Sequence, residues 1–255
     1  MDSTIQSYLR SVITSGSRDT EQVGPFLAGF DRDSDHPYLS YAIPDDGAEP
    51  TADDVAALRE AFERRSRVPR LEFLPSVAPA AEAALAAGGF AVEGVLPLMT
   101  AAPGDSPDLA PPEDIELLLP TSDEDLQAGG AVASAAFGDP STPGPADLER
   151  TRRFLAAGGL AVLARERKSG QAVGWGVYIA PRDGATELAG IGVAEAHRRR
   201  GIASAITARL AREAFARGVT TAFLTPGDDG AERVYARAGF VPRTRMLHMR
   251  VEAVS

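Results

Sequence analysis

Apolar and polar residues alternate along the second half of the chain in a pattern that predicts a regular series of strands and helices. Two glycine-containing turns, at 168–170 and 181–184, join three of the strands into an antiparallel meander. The predicted strands are Ile115–Leu119, Leu160–Arg165, Ala172–Ala180, Thr186–Val193, Thr221–Thr225 and Met246–Val251. The predicted helices are Ser122–Phe137, Ala146–Ala157, Ile202–Arg217 and Gly230–Ala238. This mixture predicts an α+β domain.

A repeat relates the first half of the chain to the second. Residues 222–249, shifted by 150 positions, fall on residues 72–99 without a gap. The identical matches are Phe223-Leu224 with Phe73-Leu74, Ala231-Glu232 with Ala81-Glu82, Gly239-Phe240 with Gly89-Phe90, and Met249 with Met99. Both halves therefore predict the order helix, strand, helix, Gly-Phe, strand. We expect two related domains in tandem, the first of them truncated or diverged.

Proline and small polar residues fill the stretch 101–113, which contains Pro103, Pro107, Pro111 and Pro112. Such a composition is typical of a linker. The sequence therefore predicts a first domain over 1–100, a linker over 101–113 and a second domain over 114–255.

Composition narrows the class of protein. Hydrophobic residues make up 44% of the chain and charged residues 24%, as in ordinary globular proteins. The net charge of -10 argues against nucleic acid as a partner, and no apolar run is long enough for a membrane span. Without cysteine or a signal-peptide pattern, we expect a cytoplasmic protein. Heavy use of Ala, Gly and Arg suggests a bacterial source, and whether the chain forms a homodimer is left open.

The strongest candidate for chemistry is the segment between the strand that ends at Val193 and the helix that begins at Ile202. Its turn contains three arginines, Arg198–Arg200, and Gly201. A helix start leaves several backbone amides without partners, and small residues let a bulky anion approach them closely. The segment therefore predicts a pyrophosphate cradle. The alternative is an ordinary connection between a strand and a helix, with a solvated basic face.

From about Asp114 to the end, the chain resembles the GNAT acetyltransferase superfamily, whose coenzyme loop reads Gln/Arg-x-x-Gly-x-Gly/Ala. Arg198, Gly201 and Ala203 occupy those positions. The resemblance implies the GNAT fold, a mixed central sheet flanked by helices, with acetyl-CoA as co-substrate and no metal. It implies coenzyme contacts at Ile191, Gly192, Val193, Arg198, Arg199, Arg200, Gly201, Ile202, Ala203 and Ser204. The first copy has the acidic stretch 48–53 instead, so we expect no coenzyme there.

The resemblance also implies two catalytic residues. Tyr235, in a Tyr-x-x-x-Gly-Phe segment, corresponds to the family's general acid for the leaving thiolate. The alternative is a half-buried core tyrosine. Asp228 stands where the family often has asparagine, which puts a coenzyme contact there in doubt. Glu187, on the strand before the loop, is the candidate base if it shares a strand face with Ile191. It is otherwise a solvent-facing glutamate. His197 is a weaker candidate.

Together these features predict an acetyl-CoA-dependent N-acetyltransferase in which a primary amine attacks the thioester directly in a ternary complex. The alternatives are a non-catalytic acyl-CoA-binding or regulatory module, and an acyltransferase that uses a longer acyl-CoA. The acceptor is a small molecule or a peptide amine that the sequence does not identify. We expect the segments 137–145 and 175–178 to shape its site.

Overall fold

The computed structural model describes residues 1–15, 18–32, 38–139 and 143–251. The chain forms two compact units, one from Met1–Leu98 with the end of the chain from Arg243, the other from Met99–Pro242. The helices are α1 (Asp2–Ser15), α2 (Ala52–Glu63), α3 (Ala81–Ala87), α4 (Asp123–Ala136), α5 (Pro145–Ala156), α6 (Ile202–Ala216) and α7 (Asp229–Arg237). The strands are β1 (Arg18–Val23), β2 (Phe26–Asp31), β3 (Tyr41–Pro44), β4 (Arg70–Phe73), β5 (Phe90–Ala101), β6 (Ile115–Leu118), β7 (Leu160–Glu166), β8 (Ala172–Tyr178), β9 (Ala185–Val193), β10 (Thr221–Leu224) and β11 (Val241–Val251).

The second unit contains the predicted meander. Strands β6, β7, β8 and β9 are antiparallel neighbours, β10 runs parallel to β9, and the last residues of β5 run antiparallel to β10. Helix α6 packs on one face of this sheet, where Ile206 and Leu210 are fully buried. Helices α4 and α5 pack on the other face, around Trp175. The predicted α+β class, with a mixed sheet flanked by helices, is confirmed.

Within its described residues, the first unit repeats this order from α1 onwards, with no counterpart of β6 or α4. Strands β1, β2 and β3 are antiparallel, β3 and β4 are parallel, and β4 is antiparallel to β11. The predicted run of helix, strand, helix and strand is present as α2, β4, α3 and β5. Helix α1 and strands β1–β3 were not predicted, because the repeat begins only after them.

The division into units differs from the predicted boundaries at two places. Strand β11, expected in the second domain, belongs to the first unit from Arg243 onwards because its residues pair with β4. The proline-rich stretch 101–113, expected to be a linker, belongs to the second unit. Leu109 packs against the second unit's core, and Asp108 forms an ion pair with Arg212.

Within the described ranges, no helix is long and apolar enough to cross a membrane.

Candidate active site

Strands β9 and β10 are paired at their first residues and then separate, near the middle of the second unit's sheet. Their parallel pairing runs from Ala185 opposite Thr221 to Glu187 opposite Phe223. Strand β9 continues for six more residues to Val193, whereas β10 ends at Leu224. The edge of β9 that faced β10 is therefore left without a strand partner from 188 to 193. This stretch includes the predicted coenzyme contacts Ile191, Gly192 and Val193.

The start of α6 lies beside this opening. Gly201 is the N-cap residue, in the left-handed region with φ +87°, and no side chain caps the helix. The amides of the first helical turn, at Ile202, Ala203 and Ser204, have no intrahelical acceptors, as at any helix start. Nothing lies within 4 Å of the point where a Cβ of residue 201 would be, so the approach to these amides is open. Free amides and the positive end of the helix dipole together favour an anion here.

The three arginines of the loop have different structural roles. Nη2 of Arg200 donates to both carboxylate oxygens of Asp114, at 2.6 and 2.8 Å, which lowers the pKa of the Asp114 carboxyl. Arg198 donates from Nε to the carbonyl of Val193 at 3.2 Å, and so closes the base of the loop. Arg199, with φ +62°, takes the strained backbone conformation of the turn. Two of the three therefore brace the loop.

A cleft of about 460 Å³ follows the opened strand and the helix start. Nine of the ten predicted coenzyme residues line it, and Arg200 is the exception because its side chain turns to Asp114. Phe137, from the predicted acceptor segment, also lines it, and the lining residues that sequence reasoning missed are Ala136, Gly230, Val234 and Arg237. Gly230, Val234 and Arg237 recur at helical spacing on one face of α7, a periodicity that could have revealed them.

Tyr235 lies on α7 between two cleft residues but is not itself among those that line the cleft. It is half-buried and packs against the core of the second unit. Burial, and then the negative charge of Asp228, raise the pKa of its phenol. Asp228 caps α7, because Oδ1 accepts a hydrogen bond from the amide of Ala231 at 2.7 Å. The hydroxyl of Ser204 donates to the carbonyl of Val234 at 3.1 Å and joins α7 to α6.

Glu187 is not on the strand face that the alternation predicted. The register of β8 with β9 shifts between Trp175–Gly192 and Val177–Ala189, and Gly190 takes φ +61° there. This β-bulge inserts one residue and reverses the alternation. Leu188 before the bulge and Val193 after it therefore both belong to the core on the α6 face. The expectation of a common face for Glu187 and Ile191 is wrong.

Glu187 and Leu188 lie on opposite faces of the sheet. Glu187 is on the face that carries α4, where it is half-buried. The same face holds Gly192, where an added Cβ would lie only 2.7 Å from the Cβ of Ala136 in α4. The predicted acceptor segment 137–145 follows α4 directly on this side. Its residues 140–142 lie outside the described residues.

In the first unit, the place between β3 and β4 that corresponds to the opening between β9 and β10 is filled by a side chain. Gln6 of α1 is fully buried. Its amide nitrogen donates to the carbonyl of Pro44 at the end of β3 (3.2 Å), and its oxygen accepts from the amide of Leu74 after β4 (3.1 Å). The start of α2 is also occupied, because Thr51 and Asp54 cap it reciprocally. Among the described residues, the space between the ends of β3 and β4 is therefore filled, and the helix start that corresponds to that of α6 is capped.

Among the described residues, no cluster of three or more His, Asp or Glu side chains is arranged to hold a metal ion. His197 lines the cleft, with Nε2 at 4.0 Å from Glu166. Its Nδ1 is buried without a hydrogen-bond partner. His197 therefore forms part of the wall of the cleft.

Comparisons with known proteins bear on the fold and the class of domain. Residues 131–240 match the acetyltransferase (GNAT) family model, a range that holds the opened strand, the loop and Tyr235. No curated protein matches the chain. The chain is 29% identical to a GCN5-related N-acetyltransferase from Kribbella flavida, whose solved structure superposes with a TM-score of 0.83. That likeness covers 100% of this chain and 96% of that one.

Two more distant solved structures share the fold. A GCN5-related N-acetyltransferase from Sphaerobacter thermophilus is 20% identical with a TM-score of 0.67, over 89% of this chain and 76% of that one. A tandem GNAT protein from the clavulanic acid biosynthesis pathway is 15% identical with a TM-score of 0.62, over 90% and 79%. Residues 131–240 therefore form a GNAT acetyltransferase domain.

Proposed function

We propose that this protein is an acetyl-CoA-dependent N-acetyltransferase that acetylates a primary amine by direct attack in a ternary complex. The observation that carries the proposal is the opening between β9 and β10 beside the uncapped start of α6 at Gly201. A strand edge with free backbone groups suits the pantetheine arm, and a helix start suits the pyrophosphate. The two lie along one cleft, as a molecule with both parts requires.

The residues present fit this co-substrate. Ile202, Ala203 and Ser204 offer amides to the pyrophosphate, and Arg199 adds positive charge at the loop. Ile191–Val193 offer backbone groups to the pantetheine arm and to the thioester oxygen. Acetyl-CoA supplies an activated acetyl group on a sulfur that can leave.

In the proposed reaction the amine nitrogen bonds to the acetyl carbon while the carbon–sulfur bond breaks. The amine must first lose a proton, and Glu187 is the candidate base, directly or through water, since it lies on the face of the sheet that carries α4 although it does not line the cleft itself. Tyr235 donates its phenolic proton to the departing sulfur and regains one from solvent. Proximity of the two bound substrates contributes much of the remaining acceleration.

The acceptor is proposed to be a small-molecule or peptide amine. Its site is expected on the α4 face of the sheet, around Phe137 at the mouth of the cleft, which is 69% exposed. An exposed phenyl ring at that place can cover an apolar part of the acceptor.

The test pairs calorimetric binding of acetyl-CoA with thiol release across a panel of primary amines. Binding together with amine-dependent thiol release supports the proposal. Binding without thiol release for any amine would favour a coenzyme-binding regulatory module. A longer acyl-CoA that turns over faster than acetyl-CoA with the same amine would indicate a different acyl donor.

A further inference from the structure

The cleft of the second unit carries positive charge although the chain as a whole is acidic. The net charge of the chain is -10. The described residues that line the cleft nevertheless include three arginines, Arg198, Arg199 and Arg237, against one acidic residue, Asp228. This positive excess favours a ligand with several negative charges.

The three arginines come from two walls of the cleft. Arg198 and Arg199 belong to the loop before α6, and Arg198 is held there by its bond to the carbonyl of Val193. Arg237 lies on the opposite wall, in the last turn of α7, with an exposed side chain. Within the described part of the chain, its guanidinium has no ion pair or hydrogen bond. Arg237 is therefore free to bind a ligand.

A hydrogen bond between α6 and α7 places Arg237 near the start of α6. Ser204, in the first turn of α6, donates to the carbonyl of Val234 at 3.1 Å. The carbonyl of a helical residue points toward the residue four positions later, so α6 meets α7 at the level of residues 237 and 238. Ser204, Val234 and Arg237 all line the same cleft. Arg237 is therefore close to the amides proposed for the pyrophosphate, but on another wall.

The proposed coenzyme has two separate anionic groups. Its pyrophosphate is attached to a ribose, and the same ribose bears a phosphate monoester a few bonds away. A phosphate monoester carries about 1.5 to 2 negative charges at pH 7. A guanidinium offers parallel N–H groups that match two phosphate oxygens. The amides of α6 and Arg199 suit the pyrophosphate, which leaves Arg237 for the monoester.

We propose that Arg237 binds the ribose phosphate of acetyl-CoA and so distinguishes acetyl-CoA from acetyl-dephospho-CoA, which lacks this phosphate. The inference rests on the proposed function. The alternative is that Arg237 only stabilises α7, because a cation in the last turn of a helix interacts favourably with the helix dipole.

The test compares the binding of acetyl-CoA and acetyl-dephospho-CoA by calorimetry in wild type, Arg237→Gln and Arg237→Lys. Arg153→Gln is the matched control. Arg153 is also an exposed arginine in the last turn of a helix of the second unit, α5, and it lies outside the cleft lining. Arg199→Gln removes positive charge from the loop instead. The melting temperature of each variant is measured beside its affinity.

Wild type is expected to bind acetyl-CoA about tenfold more tightly than acetyl-dephospho-CoA, as one charged hydrogen bond at an exposed site gives. Arg237→Gln is expected to remove this difference by weakening the binding of acetyl-CoA alone, and Arg237→Lys to keep part of it. Arg153→Gln should keep all of it, with a melting temperature close to that of Arg237→Gln. Arg199→Gln is expected to weaken both coenzymes equally, since both contain the pyrophosphate.

Two results would overturn the inference while the proposed coenzyme site stands. In the first, Arg237→Gln weakens both coenzymes equally or neither of them. In the second, Arg199→Gln rather than Arg237→Gln removes the difference between them. Wild type that binds both coenzymes equally well contradicts the inference alone. Wild type that binds neither coenzyme contradicts the proposed function, and the inference with it.

Discussion

Met249, near the end of the chain, lies directly opposite Leu71 in the first unit, and its counterpart in the repeat, Met99, lies opposite Leu224 in the second. The final residues of each copy's last strand therefore pair with a strand of the other copy, β5 with β10 and β11 with β4. The amide of Val251 also bonds to the carbonyl of Pro69, just before β4. The first unit's sheet is complete only with the last strand of the chain.

This strand exchange predicts that a chain ending at Pro242 loses order in the first unit. Strand β4 would lose its antiparallel partner over 247–250. The amides of β4 are expected to exchange with deuterium much faster, and the first unit is expected to melt at lower temperature. A chain ending at Val251 keeps all of β11 and serves as the control. Unchanged exchange in β4 after the longer truncation would contradict the strand assignment.

Replacing Gly201 by Glu is expected to abolish acetyl-CoA binding. The new side chain brings a negative charge to the free amides of α6, and a side chain at φ +87° costs roughly 1–2 kcal/mol. Gly218→Glu is a matched control. Gly218 lies just beyond the other end of α6 with φ +89°, and its Cβ position is also open. Calorimetry should show coenzyme binding lost in Gly201→Glu and kept in Gly218→Glu. Binding that survives in Gly201→Glu would mean that the coenzyme lies elsewhere.

One acetyl-CoA is expected per chain. In the first unit the place between the ends of β3 and β4 is taken by the buried side chain of Gln6, and Asp54 with Thr51 occupies the start of α2. A titration by calorimetry should give a stoichiometry near one for wild type and no binding for Gly201→Glu. A stoichiometry of two would show that the first unit also binds, and would contradict this account of Gln6.

The sequence predicted much of the second unit and little of how the site is completed. The strand, loop and helix from Ala185 to Ala216 were readable because they are local and strongly patterned. Gly190 and Gly192 inside the predicted strand indicate a bulge or a close backbone approach, but the change of face at Glu187 could not be predicted because the register depends on the neighbouring strand β8. The exchange of β5 and β11 is a long-range pairing that no local pattern encodes. The hydrogen bonds of Gln6 are likewise long-range, so its role could not be predicted.

The first unit is expected to lose stability as pH rises from about 4.5 to about 7. Glu72 shares a polar cluster with Arg70, Glu93 and His248, and Arg18 and Arg250 add charge nearby. Burial raises the pKa of Glu72 from 4.5 to about 7. Between these values the folded protein holds a proton that the unfolded chain has released, so the free energy of unfolding falls with pH.

The slope from this one group is at most about 1.4 kcal/mol per pH unit. Denaturant unfolding of wild type at a series of pH values should show the decline, and Glu72→Gln should flatten it. Glu82→Gln, at an exposed carboxyl of the same unit, is the control and should keep the slope. If the free energy of unfolding falls equally with pH in Glu72→Gln and wild type, groups other than Glu72 cause the pH dependence.

Tyr235→Phe is expected to reduce turnover much more than coenzyme binding. A proton given to the departing sulfur matters in the transition state and little in the ground state, so its loss lowers kcat. General acid catalysis is typically worth about 10²–10⁴-fold, and since a thiolate leaves readily we expect a loss near the low end. Affinity for acetyl-CoA, measured by calorimetry, should stay within a few-fold because the ring and its packing remain. Tyr8→Phe, at a buried tyrosine of the first unit outside the cleft lining, should turn over like wild type. If Tyr235→Phe acetylates an identified amine as fast as wild type, Tyr235 is a packing residue and the leaving sulfur takes its proton from water.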